Sequence, residues 1–359
     1  MTATPDSEVG ADTARAVPGG APGAKLSVSL GLWQDRPPGE ALATAEAADR
    51  LGYDELWIGE MATYDAFALA VAAAARTTRI PLTIGPLAVT VRDPATIAMG
   101  AASVADFTGR PVGVALGTSS TVVVEDWHGR SRARAARALD ESAGAVRTLL
   151  AGGRADLDGE VLRCRGFRLR LPAVPGPLTI AAFGPAALRT AARHADRLVL
   201  NLVSPETAAD LIADLEKAAR QVGRPRPAVA VWVCAALEGA AAQPAPDTGA
   251  GDVPPGVEQL RRGLVPYLAA PGYADMFTRA GFGEVVAYAR TAPHPRDLLA
   301  AVPRELVDVV AVTADPAARV AEYTAAGVDE FVVVPAATEA DPGGTRTLTE
   351  LRTAVRPPA

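Results

Sequence analysis

The sequence predicts an α/β chain folded as a parallel (β/α)8 TIM barrel with insertions. Three observations carry that expectation. Eight short apolar runs alternate with segments of helical composition between Leu26 and Val355, the pattern of strands feeding crossover helices. The chain has 359 residues, 49% of them hydrophobic, ample for a large core. The first strand is not followed by a Gly-x-Gly-x-x-Gly turn, because Gly31 and Gly39 lack that spacing. This argues against the alternative, a doubly wound open sheet.

The elements follow in order. Leu26 to Leu32 alternates and reads as the first strand. Pro37, Pro38 and Gly39 turn the chain into a helix from Glu40 to Leu51, stopped by Gly52. Glu55 to Ile58 is the second strand and Ala66 to Ala75 a helix of small residues. Leu82 to Val91 is the third strand, and its Gly85-Pro86 pair predicts a bulge. Pro94 opens the next helix. Val112 to Leu116 is the fourth strand, and an Arg- and Ala-rich helix spans Arg130 to Ala151. Ala155 to Leu171 breaks the rhythm and reads as an inserted hairpin turning at Asp158-Gly159. Leu178 to Ala182, Leu198 to Leu202 and Val229 to Leu237 are strands five to seven, with helices to Ala195 and from Pro205 to Val222 between them. A low-complexity loop, Gly239 to Pro255, leads into a mostly helical stretch, Gly256 to Pro303. Leu306 to Val312 is open between strand and loop. A helix from Pro316 to Ala326, the eighth strand from Glu330 to Val334 and a helix from Thr345 to Val355 complete the chain. The expected organisation is a disordered tail over 1–24 and one barrel domain over 25–359, with insertions at about 155–171 and 239–305.

Bulk properties narrow the function. The formal charge is −6, so there is no basic footprint for nucleic acid. No apolar run reaches the ~18 residues of a membrane span. The first 24 residues lack a charged start followed by an apolar block, so they do not read as a secretory signal. Cys164 and Cys234 lie far apart and read as buried free thiols, which suits a reducing cytoplasm. The small-residue helices suggest close packing and a homodimer. No His, Cys and carboxylate spacing reads as a metal site.

The chemistry concentrates where strands should end. Gly117, Thr118, Ser119 and Ser120 form a small, hydroxyl-rich turn after the fourth strand, where a ligand can approach the backbone. Glu125, Asp126, Trp127 and His128 follow at once. His128 is a candidate proton donor near neutral pH, and Trp127 reads as packing or a ligand wall. Trp33, Tyr64 and Asp65 fall on loops at the same end, although Asp65 also suits the cap of the helix at Ala66. Asn201, closing the sixth strand, can donate and accept. His194 sits near a helix end and His294 in a linker.

Several segments carry a family resemblance: AEAADRLGYDELWIGE, VRDPATIAMGAASVADFTGRPVGVALG, LTIAAFGPAALRTAARHADRLVLNLVSPE, PYLAAPGYADMFTRAGFGEVV and AAGVDEFVVVP. In this order they resemble the bacterial-luciferase-like monooxygenase superfamily. LGTSSTVVVEDWHG together with LAAPGYADMF is similar to its coenzyme F420-dependent (deazaflavin) oxidoreductases. The resemblance implies a small-molecule oxidoreductase that moves a hydride between the deazaflavin C5 and a C=C, C=N or C=O bond. An FMN-dependent monooxygenase on the same fold is the alternative, and a non-catalytic ligand-binding barrel a second one. It implies that the ring leans on Leu87, Ala88 and Val89 with a non-prolyl cis peptide there, and that Ala182, Phe183, Gly184, Pro185 and Ala186 hold the cofactor phosphate at a helix start. Thr118, Ser119, Ser120 and Asn201 would meet the cofactor's polar parts. Where deazaflavin-dependent sugar-phosphate dehydrogenases carry an acid followed by histidine, this chain has Glu60 and Met61. Their alcohol-oxidising mechanism is therefore not carried over. Glu60 remains a candidate acid, and Met61 joins Trp33, Tyr64, Asp65 and Trp127 around the expected substrate pocket.

Overall fold

The computed structural model describes residues 24–181, 183–237 and 253–357. The expected tail, Ala182 and most of the loop over 239–255 lie outside the described residues. Eleven strands are described: β1 (Lys25–Ser29), β2 (Leu56–Ile58), β3 (Leu82–Ala88), β4 (Val112–Gly117), β5 (Arg154–Asp158), β6 (Arg163–Arg168), β7 (Leu178–Ala181), β8 (Arg197–Asn201), β9 (Ala228–Ala235), β10 (Ala311–Val312) and β11 (Glu330–Pro335). Eight of them close a parallel barrel in the order β1-β2-β3-β4-β7-β8-β9-β11, with β11 returning to β1. All eight expected strands are barrel strands, and each is followed by a helix packed on the outside. Leu306 to Val312 resolves into a helix, Arg304–Val310, and the two residues of β10. Beyond Trp232 the β8-facing edge of β9 passes to β10, which pairs with Cys234 and Ala235.

The barrel floor is polar. Arg197 starts β8 and points inward with only 4% of its surface exposed. It donates to Glu55 at 2.9 Å through both terminal nitrogens, to Glu330 at 2.6 Å, to Thr83 at 2.8 Å and to Thr179 at 3.1 Å. Its guanidinium lies 4.2 Å from the Trp57 ring centroid, and Trp57 Nε1 donates to Glu330 at 3.0 Å. Burial alone would raise the Glu55 carboxyl, but the charge and hydrogen bonds of Arg197 hold it below the ordinary range. Glu330, facing the same burial and the Glu55 charge, stays above that range despite Arg197.

β3 carries the expected bulge. Its register against β4 shifts between Ile84 and Leu87, so Gly85 and Pro86 together face Ala115. Gly85 has φ +123°, and a Cβ there would stand 2.2 Å from the Ala115 carbonyl oxygen. Only glycine fits. The cis bond is Gly85-Pro86 itself. This corrects the expected non-prolyl cis peptide at Leu87 to Val89, and proline is the residue that tolerates the cis form.

Two loops also differ from expectation. The hairpin turn is a four-residue loop, Gly159 to Leu162, because Glu141 captures its backbone. The Glu141 carboxylate accepts from the N–H groups of Glu160 (2.8 Å), Val161 (3.1 Å) and Leu162 (2.9 Å), and from Arg137 (2.8 Å). After β4 the chain forms a π-helical turn, Val122–Trp127, rather than an open loop. The helix that follows runs Ala135–Leu150, shorter than the expected 130–151.

Candidate active site at the barrel mouth

The C-terminal ends of the eight strands surround one mouth, the side on which barrel enzymes place their chemistry. Its β2–β3–β4 half is mostly bare backbone: Gly59, the Gly85-Pro86 bulge, Ala88 and Gly117. A Cβ on Gly59 would meet nothing nearer than 4.0 Å. The opposite half is aromatic. Trp232, inward-facing on β9, stacks on Trp33 at 5.9 Å and 14° and meets the edge of Trp57 at 5.8 Å. Its Nε1 is buried with no acceptor among the described residues. Phe183, Tyr273 and Tyr267 continue the wall, with ring centroids 4.7 and 4.8 Å apart. Gly272, at φ +85°, allows this. A Cβ there would stand 2.6 Å from the Phe183 ring.

Asn201 ends β8 and donates through Nδ2 to the Tyr273 hydroxyl at 3.2 Å. Burial raises Tyr273 above its ordinary value of 10.0, so it keeps its proton. Cys234, one inward position beyond Trp232, is a free thiol pushed up to about 12 by burial. It is a poor nucleophile in that state. Cys164 is likewise free.

The loop after β7 leads to the helix Pro185–His194. Its cap, Gly184, has extended geometry (φ −78°, ψ 152°) and no side-chain hydrogen bond. Five other described helices are capped by their own side chains, Asp65, Asp93, Ser204, His294 and Asp315. Here the N–H groups of Ala186 and Ala187 donate to no capping side chain, Pro185 has no N–H, and a Cβ on Gly184 would meet nothing within 4 Å. This is an open anion-accepting end with a positive dipole.

The structure sorts the expected site residues. Ala88 presents surface to the mouth, whereas the side chains of Leu87 and Val89 are fully packed in the outer core and offer only backbone. Thr118 and Ser119 are engaged by Arg132, whose Nη2 donates to the Thr118 hydroxyl at 3.3 Å and whose Nε donates to the Ser119 carbonyl at 2.8 Å. Ser120 accepts from Val123 N at 3.2 Å and so opens the π-helical turn. Trp127 is 52% exposed and His128 is also exposed, both at the outer end of that turn. Met61 and Tyr64 are exposed on the loop after β2. Asp65 caps its helix, accepting from Phe67 N at 3.0 Å and Ala68 N at 2.9 Å. His194 meets Asp140 at 3.2 Å, and His294 caps a short helix through Nδ1.

Glu60 is not free. Arg92 donates through Nε to one of its oxygens at 2.8 Å and through Nη2 to the other, and the same Nη2 reaches Asp65. A two-pronged pairing of this kind uses both carboxylate oxygens as acceptors. Hydrogen bonds that Arg92 donates to Glu60 and Asp65, against some burial, hold it above its already high ordinary value. Arg92, Trp232, Tyr267 and Tyr273 were not singled out from sequence, and Cys234 only as a buried thiol. Alternation along β9 gave a signal for two of them, since residues 230, 232 and 234 share one face. Arg92 and the two tyrosines lie in segments that carry the family resemblance, but nothing in the spacing around them marks a site role.

No group of three or more His, Cys, Asp or Glu arranged for a metal is found among the described residues. No described helix is long and apolar enough to cross a membrane.

Comparison with known proteins places this geometry. The sequence profile of the luciferase-like monooxygenases matches residues 16–330. The chain belongs to that family. A Mycobacterium tuberculosis protein provisionally described as a coenzyme F420-dependent oxidoreductase is 24% identical over 343 residues, covering 88% of this chain and 96% of that one. The 5,10-methylenetetrahydromethanopterin reductase of Methanolobus tindarius is 25% identical over 202 residues, 55% of this chain and only 62% of the reductase. Among solved structures, the coenzyme F420-dependent tetrahydromethanopterin reductase of Methanopyrus kandleri superposes with a TM-score of 0.76 at 18% identity, covering 93% of this chain and 99% of that one. The luciferase-like barrel therefore extends over nearly all of the chain.

Proposed function

We propose that this luciferase-like barrel is a coenzyme F420-dependent oxidoreductase that transfers a hydride between the deazaflavin and a small organic substrate. One observation carries the reading. A mouth that is bare backbone on one side and aromatic on the other leads to an uncapped helix start at Gly184. That combination suits a flat ring with an anionic tail. The bare half at Gly59, Ala88 and Gly117 would receive the ring, and the N–H groups of Ala186 and Ala187 would hold the phosphate. The residues fit, because a Cβ at Gly184 would meet nothing within 4 Å and Gly59, Ala88 and Gly117 carry no side chain larger than a methyl group. Likeness along 88% of the chain to a relative provisionally described as F420-dependent favours the deazaflavin over FMN.

The deazaflavin, when bound, supplies the hydride chemistry. The protein's own work is to bind, orient and shield. Trp33 and Trp232 form an apolar wall above the polar floor and exclude water. The Arg92–Glu60–Asp65 cluster ties the loop after β2 to the turn after β3 and so fixes one rim of the mouth. Glu60, with both oxygens engaged by Arg92, acts as a hydrogen-bond acceptor. His128 remains a proton donor only where the substrate extends over the π-helical turn. A His128→Gln variant with unchanged turnover would remove it.

The deciding measurement is titration of purified protein with F420 and with FMN, followed by fluorescence quenching. F420 alone should bind tightly. Tight binding of FMN alone moves the reading to oxygen chemistry, and binding of neither refutes it.

A further inference from the structure

Among the groups that reach the mouth, the Tyr273 hydroxyl combines an unused proton with a partner that fixes its position. The Tyr273 hydroxyl accepts from Asn201 Nδ2 at 3.2 Å, and among the described residues it donates to nothing. The ring is fixed by aromatic neighbours on three sides, Phe183 at 4.7 Å, Tyr267 at 4.8 Å and Phe277 at 6.4 Å. The residue keeps partial solvent exposure. The other mouth groups serve less well. Glu60 is engaged by Arg92, His128 stands on the outer surface, Trp232 Nε1 is sealed from solvent in its stack with Trp33, Cys234 is a weak donor, and the neighbouring Tyr267 hydroxyl has no hydrogen bond among the described residues to position it.

We infer that Tyr273, positioned by Asn201, is the proton donor of the reaction, and that the substrate is an acceptor whose negative charge develops on oxygen: a ketone, aldehyde or conjugated enone. This rests on the deazaflavin reading above. The balance is as follows. Two electrons arrive as hydride from the reduced deazaflavin and form a C–H bond. The π pair of the C=O bond moves onto its oxygen. The Tyr273 O–H bond breaks, the proton forms the product O–H, and the phenolate recovers a proton from solvent once the product has left. An alkoxide is a far stronger base than a phenolate, so the transfer runs toward the alcohol. The Asn201 N–H donates to the same phenol oxygen and stabilises it as charge appears there. Burial, which raises Tyr273, keeps the donor protonated at neutral pH.

The test uses F420-saturated protein and two isosteric probes, 4-nitrophenolate, which presents an oxyanion, and 4-nitrotoluene, which does not. Wild-type protein should bind both. Tyr273→Phe keeps the ring and its aromatic contacts and should lose at least about tenfold in nitrophenolate affinity, the worth of one hydrogen bond to a charged group. Its affinity for nitrotoluene should stay within about twofold. Asn201→Leu should weaken nitrophenolate in the same direction and also spare nitrotoluene. Equal nitrophenolate affinity in wild type and Tyr273→Phe, or no nitrophenolate binding by F420-saturated wild type, would overturn the assignment of Tyr273. Failure of F420 itself to bind is a separate result. It refutes the cofactor reading, and the proton donor falls with it.

Discussion

Gly184→Asp separates binding from stability at the anion-accepting helix start. Gly184 already has the extended geometry of the other caps, φ −78° against −60° at Asp65 and −75° at Asp93. An added Cβ there meets nothing within 4 Å. The new carboxylate should therefore accept from Ala186 N and Ala187 N, as Asp65 accepts from Phe67 N and Ala68 N. For folding this is neutral to a gain of a few tenths of a kcal/mol. For a bound phosphate it is adverse twice. The carboxylate takes the N–H donors, worth about 1 kcal/mol net. It also sets a like charge about 4 Å away, which costs about 1 kcal/mol in water and up to about 4 kcal/mol at the effective dielectric of a protein surface. Gly184 is exposed, so the lower part of that range applies. The sum is about 2–3 kcal/mol, or roughly 30- to 150-fold weaker F420 binding. Fluorescence titration with F420 and a urea melt measure the two effects independently. Unchanged F420 affinity in a variant as stable as wild type would refute the placement of the phosphate here.

The remaining predictions concern the scaffold. Arg197→Met leaves Glu55 and Glu330 buried without their cation and should cost about 3–5 kcal/mol in urea denaturation; a loss below about 1 kcal/mol would show that the floor tolerates bare carboxylates. Glu141→Gln should cost about 1.5–3 kcal/mol, because three backbone N–H groups and Arg137 lose a charged acceptor. Burial would raise the Glu141 carboxyl, but those hydrogen bonds outweigh it and hold it below its ordinary 4.5. Its contribution is therefore present above pH 4.5 and fades as pH falls through the lower folded value. Acid melts of wild type and Glu141→Gln should converge in that window, and parallel curves would contradict the assignment. Gly85→Ala forces a Cβ against the Ala115 carbonyl oxygen and should abolish soluble folded protein or lower its melting temperature sharply. An unperturbed melt would mean that the bulge relaxes freely.

What the sequence by itself determined was local. Alternation, proline and glycine placement and cap residues such as Asp65 act within one or two turns, so the strands, most helix starts, the β3 bulge and the loops that meet at the mouth were all legible. The family was legible too, in contiguous segments. Where neighbours distant in sequence intervene, local signals misled. Asp158-Gly159 has the composition of a two-residue turn, yet Glu141, on the preceding helix, captures the next N–H groups and sets a four-residue loop. Leu87 and Val89 end in the core, because the register shift at Gly85-Pro86 decides which side chains of β3 face inward.

Only the tertiary structure decided the charges and the partners. Glu60 reads as a free loop acid until Arg92, 32 residues later, closes on it. Asn201 meets Tyr273 across 72 residues of sequence, and Arg197 meets Glu55 across 142. No periodicity encodes such pairs. Barrel closure brings β8 opposite β2 and β11, and burial there makes an unpaired charge costly enough that the partner is fixed by the fold rather than by the neighbouring residues.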